Sequence, residues 1–229
     1  MDVKLLPDTQ KIIEKFIQTR VGEADADGVV IGLSGGIDSA TTLSLAVSAL
    51  GNEKVTGLIL PFVQTESVSL AFDHAESLKI RTKKIDISKA VKIFRDSTDS
   101  FSSQASEGNL HSRIRMTFLY GEAFNSKSLV MGTSNKSELL VGYYTKWGDG
   151  ASDLLPIGDL YKSQVYLMAE ALGVPKKIIE RKPTAELWEG QTDEDELGID
   201  YSTLDQILLG LERQFSFKSV SSKTGIDLE

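Results

Sequence analysis

The sequence predicts an α/β protein, a parallel sheet covered by helices on both faces. Apolar runs at 29–33, 55–60 and, more weakly, 80–87 are continuous rather than alternating, the pattern of strands buried on both sides. Helical periodicity interleaves with them, beginning with the stripe Ile12, Ile13, Phe16 and Ile17. The string Ser34-Gly35-Gly36-Ile37-Asp38-Ser39 joins the first apolar run to the apolar-periodic stretch 40–50, so it forms a turn between a strand and a helix.

Each element follows in order. Residues 8–20 form a first helix. In the turn after the first strand, adjacent glycines let backbone N–H groups approach an oxyanion, and the hydroxyls of Ser34 and Ser39 add donors where a helix dipole favours negative charge. The turn therefore binds phosphates. It ends in no Lys-Ser/Thr pair and has no third glycine at dinucleotide spacing, which excludes the two commonest nucleotide loops. Asp38 would repel a polyphosphate unless a divalent cation lay between them, and carboxylate plus phosphate oxygens are what Mg²⁺ takes. A helix over 110–124 precedes a fourth strand at 128–131. Ligands gather at the carboxyl ends of parallel strands, so Gly132-Thr133-Ser134-Asn135 opens on the same edge as the first turn.

Two stretches read as mobile loops. Residues 97–109 are dense in Ser and form a flexible surface connection, whereas 142–158, with four glycines, Tyr143, Tyr144 and Trp147, are too aromatic for a simple linker. From Tyr161 the chain turns helical, with breaks at Pro175, Pro183 and Gly190 and a helical extension from about 175. The tail after Leu211 is polar.

Composition narrows the function. The 229 residues suit one main domain, and a net charge of −8 argues against a nucleic-acid partner, whose phosphates would require clustered Lys and Arg. The chain has no cysteine, which excludes disulfides, thiolate catalysis and the usual nucleophile for releasing ammonia from glutamine. Any nitrogen donor is then free ammonia or a partner's product. Neither a signal peptide nor a membrane span is visible, so a cytoplasmic enzyme is expected.

The string SGGIDSA resembles the pyrophosphate loop of the N-type ATP pyrophosphatases, which cleave ATP to AMP and pyrophosphate while activating a carboxyl or carbonyl group. The segments Gly132-Thr133-Ser134-Asn135-Lys136-Ser137-Glu138, Gly142 through Gly150, Leu154 through Lys162, Pro183-Thr184-Ala185-Glu186-Leu187-Trp188 and Gly190 through Gly198 resemble, within that superfamily, the ammonia-dependent NAD⁺ synthetases. The match spreads from about residue 8 to 210. It implies a Rossmann-like sheet of the adenine nucleotide alpha hydrolase type and one NAD⁺ synthetase domain over 1–229. It also implies ATP-dependent amidation of deamido-NAD⁺ by ammonia through an acyl-adenylate.

The resemblance assigns roles residue by residue. Ser34 through Ser39, Thr133, Lys162 and Thr184 correspond to ATP contacts, Asp38 and Glu138 to Mg²⁺ ligands, and Arg113, Lys146 and Asp153 to contacts with deamido-NAD⁺. No catalytic side chain is assigned beyond these. Arg115 is open between substrate contact and structural ion pair; Tyr143, Tyr144 and Trp147 are open between ring stacking and packing. The acidic run 193–196 reads as a solvated helix start, and His74 and His111 as structural residues. Family members are homodimers, so a dimer is expected. The family's closing basic segment with His and Lys has no counterpart in this sequence, so either the chain is truncated or the dinucleotide is held less completely; the fold and ATP site are expected to survive, and dinucleotide affinity is the property in question. Two alternatives stay open: an amidase for a smaller carboxylic acid, which would not need Arg113, Lys146 and Asp153 together, and a non-catalytic adenine-nucleotide sensor.

Overall fold

The computed structural model describes residues 3–184 and 190–226. Four parallel strands, β1 (Gly28–Gly32), β2 (Val55–Ile59), β3 (Arg81–Lys84) and β4 (Ser128–Met131), lie in the order β3-β2-β1-β4. Val29 pairs with Val55 and Val30 with Val130, and a lone bridge from Met131 to Leu154 extends the sheet beyond β4.

Alternation within each strand explains why the runs read as continuous. Val29, Ile31, Val55, Ile59 and Met131 enter one core, whereas Val30, Leu58 and Val130 enter another on the opposite face. The first core is covered by α1 (Thr9–Glu23), α2 (Ile37–Leu50), α3 (Glu66–Ser77), α7 (Lys162–Ala171) and α8 (Lys176–Ile179). The second is covered by α4 (Ser88–Ser97) and α5 (Gln104–Asn125). The short α6 (Lys136–Val141) follows β4, and α9 (Asp193–Leu197), α10 (Tyr201–Glu212) and α11 (Phe217–Thr224) complete the chain.

The weak third strand forms only over Arg-Thr-Lys-Lys and is almost wholly exposed, because it is the sheet's edge, where charged side chains discourage pairing with another chain. Residues 97–109 are not the expected flexible connection. They hold a turn of 3₁₀ helix and the first turns of α5, whose N-terminus is capped by the Ser103 hydroxyl accepting from Ser106 N at 3.2 Å. Serine competes with the backbone in helix interiors but caps helix starts, so a Ser-dense stretch reads as loop when it marks a boundary.

Residues 142–158 are irregular but pinned rather than mobile. Asp149 accepts from Ser112 Oγ (2.6 Å) and Thr145 N (3.0 Å), and Thr145 Oγ1 donates to Asn109 Oδ1 (2.7 Å). The polar tail contains α11, with Ser216 as its N-cap. Among the described residues no helix is long and apolar enough to cross a membrane.

Candidate active site

The Ser-Gly-Gly turn lies at the carboxyl end of β1 and opens α2. Gly35 has φ +81°, and a Cβ there would lie 2.1 Å from the Ser67 carbonyl, so only glycine permits α3 to pack against the turn. Ser34 and Ser39 hydroxyls meet at 3.1 Å, and Ser39 Oγ donates to Gly36 O at 3.0 Å. Ile37 contributes only backbone here, since its side chain is buried in the core.

Three residues far apart in sequence converge beside this turn. Lys162 Nζ lies 2.5 Å from Asp38 Oδ2 and 3.6 Å from Glu138 Oε1. Asn135 joins them: its Nδ2 donates to Asp38 Oδ1 (3.0 Å), its Oδ1 accepts from Glu138 N (3.1 Å), and its own N donates to Glu138 Oε2 (3.0 Å). This is a capping box on α6 turned to a second use, since the carboxylate that closes the box also faces the ammonium.

Electrostatics follow from burial. The Lys162 side chain is 2% exposed, which opposes its charge, yet the carboxylates of Asp38 and Glu138 outweigh this and hold it protonated above the usual lysine range. Burial, reinforced by the Asp38 charge, pushes the Glu138 carboxyl well above the usual carboxylate range against the pull of Lys162. A third carboxyl, Asp193, is buried nearby and raised, first by desolvation. It accepts from Tyr143 OH and Tyr201 OH, each at 3.3 Å, and the Tyr201 ring lies 4.9 Å from Lys162 Nζ. The expectation of a wholly solvated acidic run is therefore corrected at Asp193, which is drawn inward by two phenols.

One ammonium thus faces three carboxyl groups, and the upward push on Glu138 and Asp193 shows that it cannot by itself offset all three when ionised, an arrangement that suits a further cation. Among the described residues no three His, Cys, Asp or Glu side chains are arranged to hold a metal. The donor set fits a hard divalent ion that takes two protein carboxylates and completes its shell with phosphate and water oxygens.

The remaining predicted residues occupy other places. Thr133 is half-buried at the carboxyl end of β4. Thr184 is half-buried, while the 185–188 part of its motif lies outside the described residues. Arg113 and Lys146 meet on the surface, where Arg113 Nε donates to Lys146 O at 3.1 Å. Asp153 accepts from Val130 N (2.7 Å) and from Tyr120 OH (3.2 Å). Tyr120 lies two turns from Arg113 on α5, so all three border one exposed helix face. Arg115 turns inward, its Nε donating to Leu60 O. Tyr143 is a hydrogen-bond donor to Glu196 and Asp193, while Tyr144 and Trp147 are exposed. Sequence reasoning missed Asn135 and Tyr201, and also Ser137 and the buried Asp205, whose Oδ1 accepts from Ser137 Oγ; only Asn135 had a local signal, the Asn-x-x-Glu spacing of a capping box.

Fold and site together define a Rossmann-like protein of the adenine nucleotide alpha hydrolase class, with a Ser-Gly-Gly turn after β1 and a charged centre at the sheet's carboxyl edge. Within that class the NAD synthase family model matches residues 9–229, and the chain belongs to this family. An NH(3)-dependent NAD(+) synthetase from Archaeoglobus fulgidus is 49% identical over 210 residues, covering 89% of this chain and 85% of that one. Among solved structures, an NMN synthetase from Francisella tularensis superposes with TM-score 0.87 at 39% identity, covering 96% of this chain and 92% of that one. An NH3-dependent NAD synthetase from Campylobacter jejuni gives TM-score 0.82 at 33% identity over 100% and 89%.

Proposed function

We propose that the chain amidates the nicotinate carboxyl group of deamido-NAD⁺ with ammonia, consuming ATP and releasing AMP and pyrophosphate through an acyl-adenylate. The observation that carries this reading is the convergence of Asp38, Glu138 and Lys162 beside a turn of backbone N–H donors, within a chain of the NAD synthase family. The turn amides and the Ser34 and Ser39 hydroxyls receive phosphate oxygens. Lys162 supplies the cationic side chain that the turn lacks, at oxygens that gain charge as pyrophosphate departs. Asp38 and Glu138 would hold Mg²⁺, which supplies neutralisation of the leaving pyrophosphate. Thr133 and Thr184 complete the ATP contacts. Arg113, Lys146 and Asp153 bind the dinucleotide, the guanidinium and ammonium meeting its anionic groups. Positioning and charge neutralisation dominate, and no covalent enzyme intermediate is needed.

The partner copy of a homodimer would pack on the exposed face of α5. Phe124, 89% exposed, and Tyr120 lie there, with Trp147 next to Lys146. A cytoplasmic location belongs to the same reading. A second reading, nicotinate mononucleotide as the acid, is favoured by the likeness to the Francisella tularensis NMN synthetase.

The deciding experiment follows AMP release with ATP, Mg²⁺ and ammonium, offering deamido-NAD⁺ and nicotinate mononucleotide in parallel. Stoichiometric AMP and NAD⁺ with the larger higher in kcat/KM is expected. Preference for the mononucleotide would select the second reading, and ATP binding without AMP release would refute both.

A further inference from the structure

Asp205 is fully buried on α10 and ties together α6 and α7, the elements that carry Glu138 and Lys162 of the charged centre. Its Oδ1 accepts from Ser137 Oγ at 2.5 Å. Its Oδ2 accepts from Ser163 N at 2.7 Å and Ser163 Oγ at 2.6 Å. Ser137 Oγ in turn accepts from Lys162 N at 2.9 Å. Ser137 stands between Asn135 and Glu138 on the first turn of α6, and Ser163 is the residue after Lys162 at the start of α7.

A carboxylate is the group this position requires. It meets three donors and offers only acceptors, and it faces the N-terminal turn of α7, where the partial charge is positive. Lysine has a long, freely rotating stem, so an ammonium held within hydrogen-bond reach of two carboxylates needs a fixed starting backbone. α10 provides it twice, through Asp205 at the backbone and through the Tyr201 ring beneath the ammonium.

We propose that Asp205 is a positioning residue, setting the placement of Lys162 against Glu138 and Asp38 so that the ammonium meets the phosphate oxygens in register. The proposal rests on the phosphate-binding role assigned to Lys162 above. Asp205→Asn keeps the size but presents an N–H where an acceptor is needed. Its kcat should fall by about tenfold to a hundredfold while KM for ATP changes by less than about threefold, because misplacement costs most in the transition state. Ser137→Ala and Ser163→Ala, each removing one arm, should show intermediate losses, and Ser137→Ala should add little to Asp205→Asn.

Labelling of Lys162 by an amine-acylating reagent, read by mass spectrometry, gives a measure independent of turnover. It should rise at least about threefold in folded Asp205→Asn, as local opening frees the ammonium. Val91→Ala, in the core on the opposite face of the sheet, is the destabilised control, compared at the temperature where both variants are equally folded, and should keep wild-type kcat. A folded Asp205→Asn or Ser137→Ala protein with kcat within about twofold of wild type overturns the proposal, and so does unchanged labelling. A loss equalled by Val91→Ala in that comparison also overturns it. Absence of AMP release by the wild type from either acid would refute the assigned reaction instead, and the labelling alone then decides for Asp205.

Discussion

The charged centre and the α5 surface hold the same kinds of side chain by opposite means. At the centre, Lys162 is buried and each neighbouring carboxylate has protein partners, so Asp38, Glu138 and the ammonium are placed before any ligand arrives. At the surface, Arg113 and Lys146 are exposed and joined by one bond to a backbone carbonyl, leaving their charges largely hydrated. Burying a charge costs several kcal/mol unless hydrogen bonds and counter-charges offset it, so the centre must be rigid to exist at all. The surface has no such requirement, and its geometry is free to follow a substrate.

The largest effect should come from removing the central cation. Lys162→Met leaves the carboxyl groups buried without their partner, and we expect a loss of about 3–5 kcal/mol in stability together with kcat reduced by about a thousandfold. Urea unfolding and AMP release measure the two, and a stable, active variant would mean that the centre is not held by its ammonium. Asp38→Asn should cost about a hundredfold in kcat/KM and raise the Mg²⁺ concentration needed for half-maximal rate. A magnesium dependence identical to wild type would remove Asp38 from the metal.

Arg113→Ala sharpens the contrast from the other side. It should raise KM for the dinucleotide by about tenfold, the value of a lost charge-assisted bond, while leaving ATP binding and melting temperature unchanged. Equal losses for both substrates in steady-state kinetics would show that the two regions are not independent. Phe124→Asp should shift sedimentation from dimer to monomer; a monomeric wild type would place the partner copy elsewhere or nowhere.

An effect on stability alone concerns His111, which lies against the Phe62 ring with Glu107, Arg115 and Arg95 as its charged neighbours. Burial first, then the cations, lowers it from 6.5 to about 4. The unfolded chain therefore takes up a proton on acidification that the folded chain refuses. Stability should be intact above about 6.5 and fall by at most about 3 kcal/mol towards 4. His111→Leu should flatten that part of the stability curve in thermal melts at stepped pH, whereas an unchanged slope would assign it to other groups.

The sequence by itself determined the parallel sheet and the glycine turn between the first strand and helix, while the pairing of Asp38 with Glu138 as candidate ligands came from the family resemblance of its motifs. The sheet and the turn rest on local chemistry: apolar runs record burial on both faces, and adjacent glycines between a strand and a helix record a tight turn of free backbone N–H groups. Only the tertiary structure decided how far each strand runs, that 97–109 caps a helix, that Asp193 is drawn inward, and that Asp205 braces Lys162. Those outcomes depend on which groups meet across long separations, as Asp38, Glu138, Lys162 and Asp205 do. A buried polar group is recognisable by its partners rather than by its neighbours in sequence, and partners exist only once the chain has folded.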